Sequence, residues 1–256
     1  MSSESILTQP PPPADARIAY GPDSNQFGEL RLPKSSGPFP VVINFHGGFW
    51  RAKYDLAHAG HLCAALTAKG LATWNVEYRR VGNKGGGWPG TFEDVRNSYR
   101  YLPQIAKKYN LDPGKLLVMG HSAGGQLALC LASHEPAIKR VLSLAGVADL
   151  QQAWDLHLSN NAVGEFLGGT PKEVPEHYQE ADSMQLKVNA TQWLIHGAGD
   201  DVVPSTMSRD YVQAKKARGE DVHLLEIAAA GHYELIDPHS TAYPKIESTI
   251  LHLLNS

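Results

Sequence analysis

Short apolar runs alternate with amphipathic segments along most of the chain. Runs of about four to six apolar residues bounded by glycine or proline are typical of strands that are buried on both faces. Segments with apolar residues every three or four positions are typical of helices that pack on such strands. The predicted strands are residues 29–32, 41–45, 71–76, 115–119, 140–144, 191–195 and 222–227, and the predicted helices are residues 57–69, 91–109, 125–132, 205–218 and 241–254.

This alternation predicts the α/β class, with a mostly parallel central sheet that carries helices on both faces. Residues 147–188 interrupt it, because they are polar and broken by glycine and proline, which predicts short helices and loops inserted between two strands. Pro103 lies inside the pattern of the second helix and predicts a kink or a break there. Residues 1–16 are predicted to be a disordered or loosely attached leader, and residues 17–256 a single domain.

Composition narrows the class of protein. The 256 residues carry a formal net charge of −3, which argues against nucleic-acid binding and against attraction to an anionic membrane. The sequence has no apolar run of membrane-spanning length, and its first residues do not resemble a secretory signal. The two cysteines, Cys63 and Cys130, lie in apolar helical patterns and are predicted to be buried thiols. These features together predict a cytoplasmic protein.

The sequence GHSAG at residues 120–124 carries the clearest chemical signal. It follows a predicted strand and precedes a predicted helix, which is the context of a nucleophile elbow. In such an elbow a serine occupies a strained turn, and residues two positions away on either side must be small. Gly120 and Gly124 meet that requirement, so Ser122 is the predicted nucleophile.

A serine nucleophile needs a histidine base and an acid that orients the histidine, in the chain order serine, acid, histidine. The loop after strand 191–195 contains two adjacent candidates for the acid, Asp200 and Asp201, and the residues themselves leave the choice open. His232 follows the last predicted strand and is the predicted base. His239 lies further from the strand end, and His196 precedes the acid, so both fit this role less well.

The reaction also needs N–H donors for the oxyanion of the tetrahedral intermediate. One is expected from Ala123, the residue after the nucleophile, where the helix dipole adds to the effect. The others are expected from the glycine-containing loop after strand 41–45, which has the sequence HGGFW at residues 46–50.

The order HGG-FW, GHSAGG, HGAGDDVVP, AGH resembles the α/β-hydrolase superfamily from about Arg17 to the C-terminus. Within it, the chain is most similar to the esterase and arylformamidase-like group, the relatives of kynurenine formamidase. Residues 165–171 and 181–183 resemble the short cap-side insertion of these enzymes. The resemblance implies an α/β-hydrolase fold with a small insertion on the cap side.

The resemblance also implies roles for individual residues. The family acid lies four residues after the histidine of an HG-x-x-D pattern, which falls on Asp200, and the family base falls on His232. The oxyanion donors would be the backbone amides of Gly48, Phe49 and Ala123. Phe49 replaces the third glycine of a lipase-type HGGG motif, so its side chain is expected to shape the pocket.

The family implies a serine hydrolase that cleaves small carboxylic esters or aryl formamides and needs neither a metal nor an organic cofactor. Two alternatives stay open: a peptidase of the prolyl-oligopeptidase type, and a hydrolase-fold protein that binds ligands without catalysis. Trp50, Trp88 and Tyr233 lie on loops near the expected site and are candidates for substrate binding. The expected partner is a small ester or amide, with no nucleic acid and no membrane, and a homodimer is left open.

Overall fold

A central sheet of eight strands organises the molecule. The structure is a computed structural model, and it describes residues 3–255. The strands are β1 (Ala16–Ala19), β2 (Phe27–Arg31), β3 (Phe39–Phe45), β4 (Ala72–Val76), β5 (Leu111–His121), β6 (Arg140–Leu144), β7 (Thr191–Gly197) and β8 (Val222–Ile227). Their spatial order is β1-β2-β4-β3-β5-β6-β7-β8. Strands β1 and β2 were not both expected, since the sequence predicts only one strand before residue 41.

The sheet is mostly parallel, as the sequence predicts. Only the edge is antiparallel, where β1 pairs with β2 and β2 pairs with β4. All other pairs are parallel, so the carboxyl ends of β3, β5, β7 and β8 meet along one edge. Loops that follow these strands can therefore bring residues distant in sequence to one site.

Helices cover both faces of the sheet. They are α1 (Gly60–Ala68), α2 (Gly90–Tyr109), α3 (Ala123–His134), α4 (Leu150–Asp155), α5 (Ala162–Leu167), α6 (Pro175–Ala181), α7 (Ser205–Ala217) and α8 (Tyr243–Asn255). Strand β3 shows how the two cores form, because Val41 and Ile43 join the cluster under α2, α3 and α7, while Val42 joins the cluster under α1 and α8. No helix within residues 3–255 is both long and apolar enough to cross a membrane.

Helix α2 continues through Pro103 without the break that the sequence suggests. Proline removes one backbone hydrogen bond from the helix. Pro103 is exposed, so water can reach the carbonyl group that loses its partner. The two flanking residues Leu102 and Ile105 are buried, and their packing holds the helix in place on both sides of the proline.

The N-terminal residues are ordered against the domain, which differs from the predicted leader of residues 1–16. Residues Ser3–Leu7 form a 3-10 helix, and Ile6 is only 4% exposed. The Ser3 hydroxyl donates to Asp237 at 2.9 Å. Residues 3–7 thus pack on the domain, which differs from the predicted leader, while Met1 and Ser2 lie outside the described residues. The physical reason is that Ile6 has an apolar site to fill.

Residues 147–188 form the expected insertion between β6 and β7. It consists of the short helices α4, α5 and α6 and the loops that join them. The Asp149 side chain caps α4 by accepting from the backbone N–H of Gln152 at 2.8 Å. The insertion reaches the edge of the sheet where the parallel strands end, because Ser159 lines the same cavity as Ser122, the residue after β5.

Candidate active site

Ser122 lies in a sharp turn between β5 and α3. Its backbone is in the left-handed region, with φ 56° and ψ −121°. A side chain at Gly120 would collide with the carbonyl oxygen of Gly124, and one at Gly124 would collide with that of Phe45. The Ser122 N–H donates to Leu144 of β6 at 2.8 Å, which holds the turn against the sheet. The turn thus has the strained geometry of a nucleophile elbow.

His232 and Asp200 form a direct pair. Nδ1 of His232 lies 2.7 Å from Oδ2 of Asp200, and both side chains are almost fully withdrawn from solvent. Asp201 is exposed and His239 is exposed, so neither competes for these positions. Among the two adjacent aspartates, the structure therefore brings Asp200 to the histidine.

Asp200 accepts four hydrogen bonds. Its Oδ1 accepts from the N–H groups of Val202 and Val203, both at 2.8 Å. Its Oδ2 lies 3.2 Å from Nε2 of His196 in addition to the contact with His232. Burial by itself would raise the pKa of Asp200, but the bonds from His196 and His232 outweigh it and hold the pKa well below its usual range.

His196 has a defined orientation beside the acid. Nε2 faces two acceptors, the Val203 carbonyl at 3.0 Å and the Asp200 carboxylate, so Nε2 carries a proton. Nδ1 lies 2.7 Å from the Ser208 hydroxyl, which donates to it when the ring is neutral. His196 thus orders its own loop, and it also supports the carboxylate of Asp200.

Ser122 and His232 line one cavity of about 100 Å³. Its polar side chains are His58, His121, Ser122, Ser159 and His232. The remaining lining residues are Leu7, Gly48, Phe49, Tyr54, Val202 and Tyr233. The cavity therefore brings the predicted nucleophile and the predicted base together with Gly48 and Phe49 of the loop after β3.

The loop after β3 passes directly over the serine. A Cβ atom on Gly47 would lie 3.0 Å from Cβ of Ser122, which shows how closely the two backbones approach. Gly48, Phe49 and Trp50 all have positive φ, at 113°, 49° and 56°. Gly48 and Phe49 line the cavity, while Ala123 is buried at the first turn of α3. The predicted oxyanion residues are therefore close to the serine.

A buried ion pair supports this loop from behind. Nε2 of His46 lies 2.9 Å from Glu77, which also contacts Arg80 at 3.2 Å. Burial opposes ionisation of Glu77, yet His46 and Arg80 keep its pKa below the usual value. The Tyr78 hydroxyl donates to the His46 carbonyl at 2.7 Å. Sequence reasoning missed Glu77, although its place directly after β4 was a signal.

The insertion and the loop after β3 are joined by Arg51. Its guanidinium donates to both carboxylate oxygens of Glu165, at 2.7 and 3.0 Å. It also donates to the hydroxyl and the carbonyl oxygen of Ser159, at 2.9 and 2.8 Å. This fork places Ser159 of the insertion at the wall of the cavity.

Two further histidines border the cavity in the uncharged state. Burial, and next the neighbouring His46, lowers the pKa of His58 to about 3. Burial and the proximity of His232 hold the pKa of His121 well below its usual range. His121 Nε2 lies 3.0 Å from the His232 carbonyl and donates to it. The described part of the chain contains no group of three or more side chains suited to a metal ion.

The three aromatic residues predicted to bind substrate have different positions. Tyr233 lines the cavity. Trp50 is 1% exposed, stacks on Phe166 and donates its indole N–H to Gln126 at 3.2 Å. Trp88 stacks on Phe92 and does not line the cavity either. The prediction that Trp50 and Trp88 line the pocket is therefore corrected, because both pack under the insertion instead.

Several known hydrolases are similar to this chain in sequence. Kynurenine formamidase of Danio rerio is 27% identical over 86% of this chain and 75% of its own length. Esterase LipC of Mycobacterium tuberculosis is 26% identical over 86% of this chain, which spans only 60% of LipC. These relatives support a hydrolase activity.

Solved structures show the same fold. Esterase B from Lactobacillus rhamnosis superimposes with a TM-score of 0.82 over 99% of this chain and 91% of its own, at 17% identity. A truncated carbohydrate esterase from gut microbiota gives 0.79 over 97% of this chain and all of its own, at 20% identity. The fold is thus that of the α/β-hydrolases. Residues 29–214 match the model of the BD-FAE family, and the chain therefore belongs to the BD-FAE family.

Proposed function

We propose that the protein is a serine hydrolase that cleaves small carboxylic esters or aryl formamides through an acyl-enzyme intermediate. The observation that carries this proposal is that His232, which lies 2.7 Å from Asp200, lines the same cavity as the strained Ser122. The predicted nucleophile, acid and base also follow β5, β7 and β8, in the chain order serine, acid, histidine that is typical of this fold.

In the proposed reaction, Oγ of Ser122 attacks the substrate carbonyl carbon while Nε2 of His232 takes its proton. Asp200 orients the ring through Nδ1 and stabilises the imidazolium that forms. The imidazolium then donates the proton to the leaving oxygen or nitrogen. A water molecule, activated by His232, releases the acyl group in the second half of the reaction.

The negative charge on the carbonyl oxygen needs donors that are already in place. The amide of Ala123 begins α3, where the helix dipole favours an anion. The amides of Gly48 and Phe49 belong to the loop with positive φ values that crosses above Ser122. The contact of His46, at the start of that loop, with the buried Glu77 ties the loop to the end of β4.

The relatives of this chain support two substrate classes. The similarity to a kynurenine formamidase favours formamides, and the similarity to LipC favours esters. Both substrate classes contain a carbonyl group that the proposed triad can attack.

A fluorophosphonate probe tests the nucleophile directly. We expect it to label the wild-type protein and to leave Ser122→Ala unlabelled, with esterase turnover reduced by at least about 10⁴-fold. Ser159→Ala is the matched control, because it removes a second serine of the same cavity. This variant should still be labelled. Labelling that persists in Ser122→Ala would overturn the proposal.

Rates on two substrates separate the activities within the class. The measurement is kcat/KM on N-formylkynurenine and on p-nitrophenyl acetate. Turnover of the ester without turnover of the formamide would remove the formamidase assignment. If neither substrate nor a panel of other activated esters and peptides reacts, the protein is a binding protein with a hydrolase fold.

A further inference from the structure

The N-terminal 3-10 helix, Ser3–Leu7, lies at the catalytic edge of the sheet. It contacts the short 3-10 helix Tyr233–Leu235, which begins directly after His232. It also contacts the 3-10 helix Leu56–Ala59, which contains the cavity residue His58. Residues 3–7 therefore bridge two elements on the histidine side of the cavity.

Several contacts hold this segment in place. Ile6 is buried in the same apolar cluster as Leu62 and Leu235. The Ser3 hydroxyl donates to Asp237 at 2.9 Å, and His61 contacts the Gln9 carbonyl at 3.1 Å. Further along the segment, the Arg31 guanidinium donates to the Pro12 carbonyl at 2.9 Å. The segment has one position on the domain, so its side chains can form a defined wall.

The neighbouring side chains of Ile6 and Leu7 have different surroundings. Ile6 enters the core, whereas Leu7 is partly exposed and lines the cavity that contains Ser122. Near it in the wall are Tyr54, His58 and Tyr233. Leu7 thus adds an aliphatic side chain to a cavity wall that also contains aromatic rings.

The chemistry of the reaction identifies which part of the substrate meets this wall, a step that rests on the proposed function. The carbonyl oxygen must point at the amides of Ala123 and the Gly48 loop. The leaving atom must lie within hydrogen-bond reach of His232, because it receives the proton from that ring. The leaving group therefore occupies the side of the cavity near His232 and Tyr233, where the N-terminal segment lies.

We propose that Leu7 is a specificity-determining residue that limits the size of the leaving group. The side chain closes the cavity on the His232 side, and the anchoring of Ile6 and Ser3 prevents it from moving away. The acyl group lies on the other side of the tetrahedral carbon, so Leu7 does not limit its length.

Two series of esters that share methyl acetate test this inference. In the first series the alcohol lengthens from methanol to hexanol with acetate as the acyl group. In the second the acid lengthens from acetic to hexanoic with methanol as the leaving group. For Leu7→Ala we expect kcat/KM on hexyl acetate, relative to methyl acetate, to rise by about 10-fold or more, since a single methylene in an apolar pocket changes the rate by factors of about 10–200. The second series should change by less than about 2-fold, because Leu7 does not contact the acyl group.

Leu7→Phe supplies the opposite change and guards against a folding defect in the alanine variant. It should lower kcat/KM for hexyl acetate relative to methyl acetate. Leu32→Ala is the matched control, because Leu32 is also a partly exposed leucine but does not line the cavity. It should leave both series as in the wild type.

Three results would overturn the inference: a change in the acyl series instead, equal changes in both series, or no change in either with Leu7→Ala and Leu7→Phe. All of these presuppose wild-type turnover that Ser122→Ala abolishes. A wild-type protein with no such turnover would instead refute the proposed function, and with it the role of Leu7, so the two failures are distinguishable.

Discussion

Two carboxylates in different regions of the molecule respond to burial in opposite ways. Asp200 lies in the loop after β7, and Asp182 lies at the end of α6 in the insertion. Both side chains accept two backbone N–H groups, from residues 202 and 203 for Asp200 and from residues 150 and 184 for Asp182. The pKa of Asp200 is nevertheless held well below its usual range, whereas that of Asp182 is raised to about 6.

The difference comes from the remaining partners. Burial is the largest influence on both groups and raises the pKa of each. Asp200 then gains bonds from two imidazoles, and its backbone contacts are short, at 2.8 Å. Asp182 has longer backbone contacts of 3.1 and 3.2 Å, a weak bond from Gln185 at 3.4 Å and the like charge of Asp149 nearby. Burial alone therefore does not decide the charge of a carboxylate, because the donors around it can outweigh the loss of hydration.

The largest effect should follow from removing the charge at Asp200. We expect Asp200→Asn to lower kcat by about 10³ to 10⁴-fold, because an amide in place of the carboxylate cannot stabilise the imidazolium and favours the wrong tautomer of His232. Asp201→Asn is the matched control, since Asp201 is exposed, and should change kcat by less than about 2-fold. The reverse order of effects in a steady-state assay would contradict the assignment of the acid.

At Asp182 we expect a smaller effect, a gain in stability on removal of the carboxylate. The pKa of this group rises from 3.8 to about 6 on folding. The folded state then binds more protons than the unfolded state between these two pH values, so stability falls as the pH rises through this window. Asp182→Asn should remove the cost and raise the free energy of unfolding near pH 7 by about 1–3 kcal/mol.

Urea unfolding of both proteins at pH 7 and at pH 4.5 measures this effect. The advantage of Asp182→Asn should shrink at the lower pH, where the wild-type side chain is mostly protonated. Catalytic rates should stay close to the wild type, since Asp182 does not line the cavity. A variant that is less stable than the wild type at pH 7 would show that the two carboxylates do not differ as described.

The smallest effect is expected from Ser208→Ala, because Ser208 contacts His196, which in turn contacts Asp200. The hydroxyl of Ser208 lies 2.7 Å from Nδ1 of His196, and the variant leaves that nitrogen buried without this donor. We expect a loss of about 1 kcal/mol in the free energy of unfolding and a decrease of a few-fold in kcat. Thermal unfolding together with kcat at saturating substrate checks both. Unchanged values for both would show that His196 does not need the serine to hold its orientation.

Much of the fold could be predicted from the sequence, because strands buried on both faces and amphipathic helices leave strong local patterns. The boundaries of β6 and β8 agree with those predictions to the residue. The antiparallel edge was harder to predict, since β1 is short and its residues alternate between partly buried and exposed. The packing of residues 3–7 on the domain was not predicted, because it depends on a single apolar anchor, Ile6, and on a few contacts with distant residues.

The sequence by itself determined the candidate nucleophile. Gly120 and Gly124 are required by the tight turn at Ser122, and a requirement of local backbone geometry can be recognised in five consecutive residues. The sequence also placed His232 and the pair Asp200 and Asp201 after the correct strands, because parallel strands bring their carboxyl ends to one edge.

Only the tertiary structure decided which side chains meet at that edge. It turned Asp200 toward His232 and Asp201 toward solvent, a choice that depends on the path of one loop. Trp50 is buried in the core instead of lining the cavity. Leu7 lines the cavity although more than 100 positions of the sequence separate it from Ser122. The physical reason is that side-chain direction and long-range packing are set by the whole assembly of the chain, while turns and periodic burial are set by neighbours in sequence.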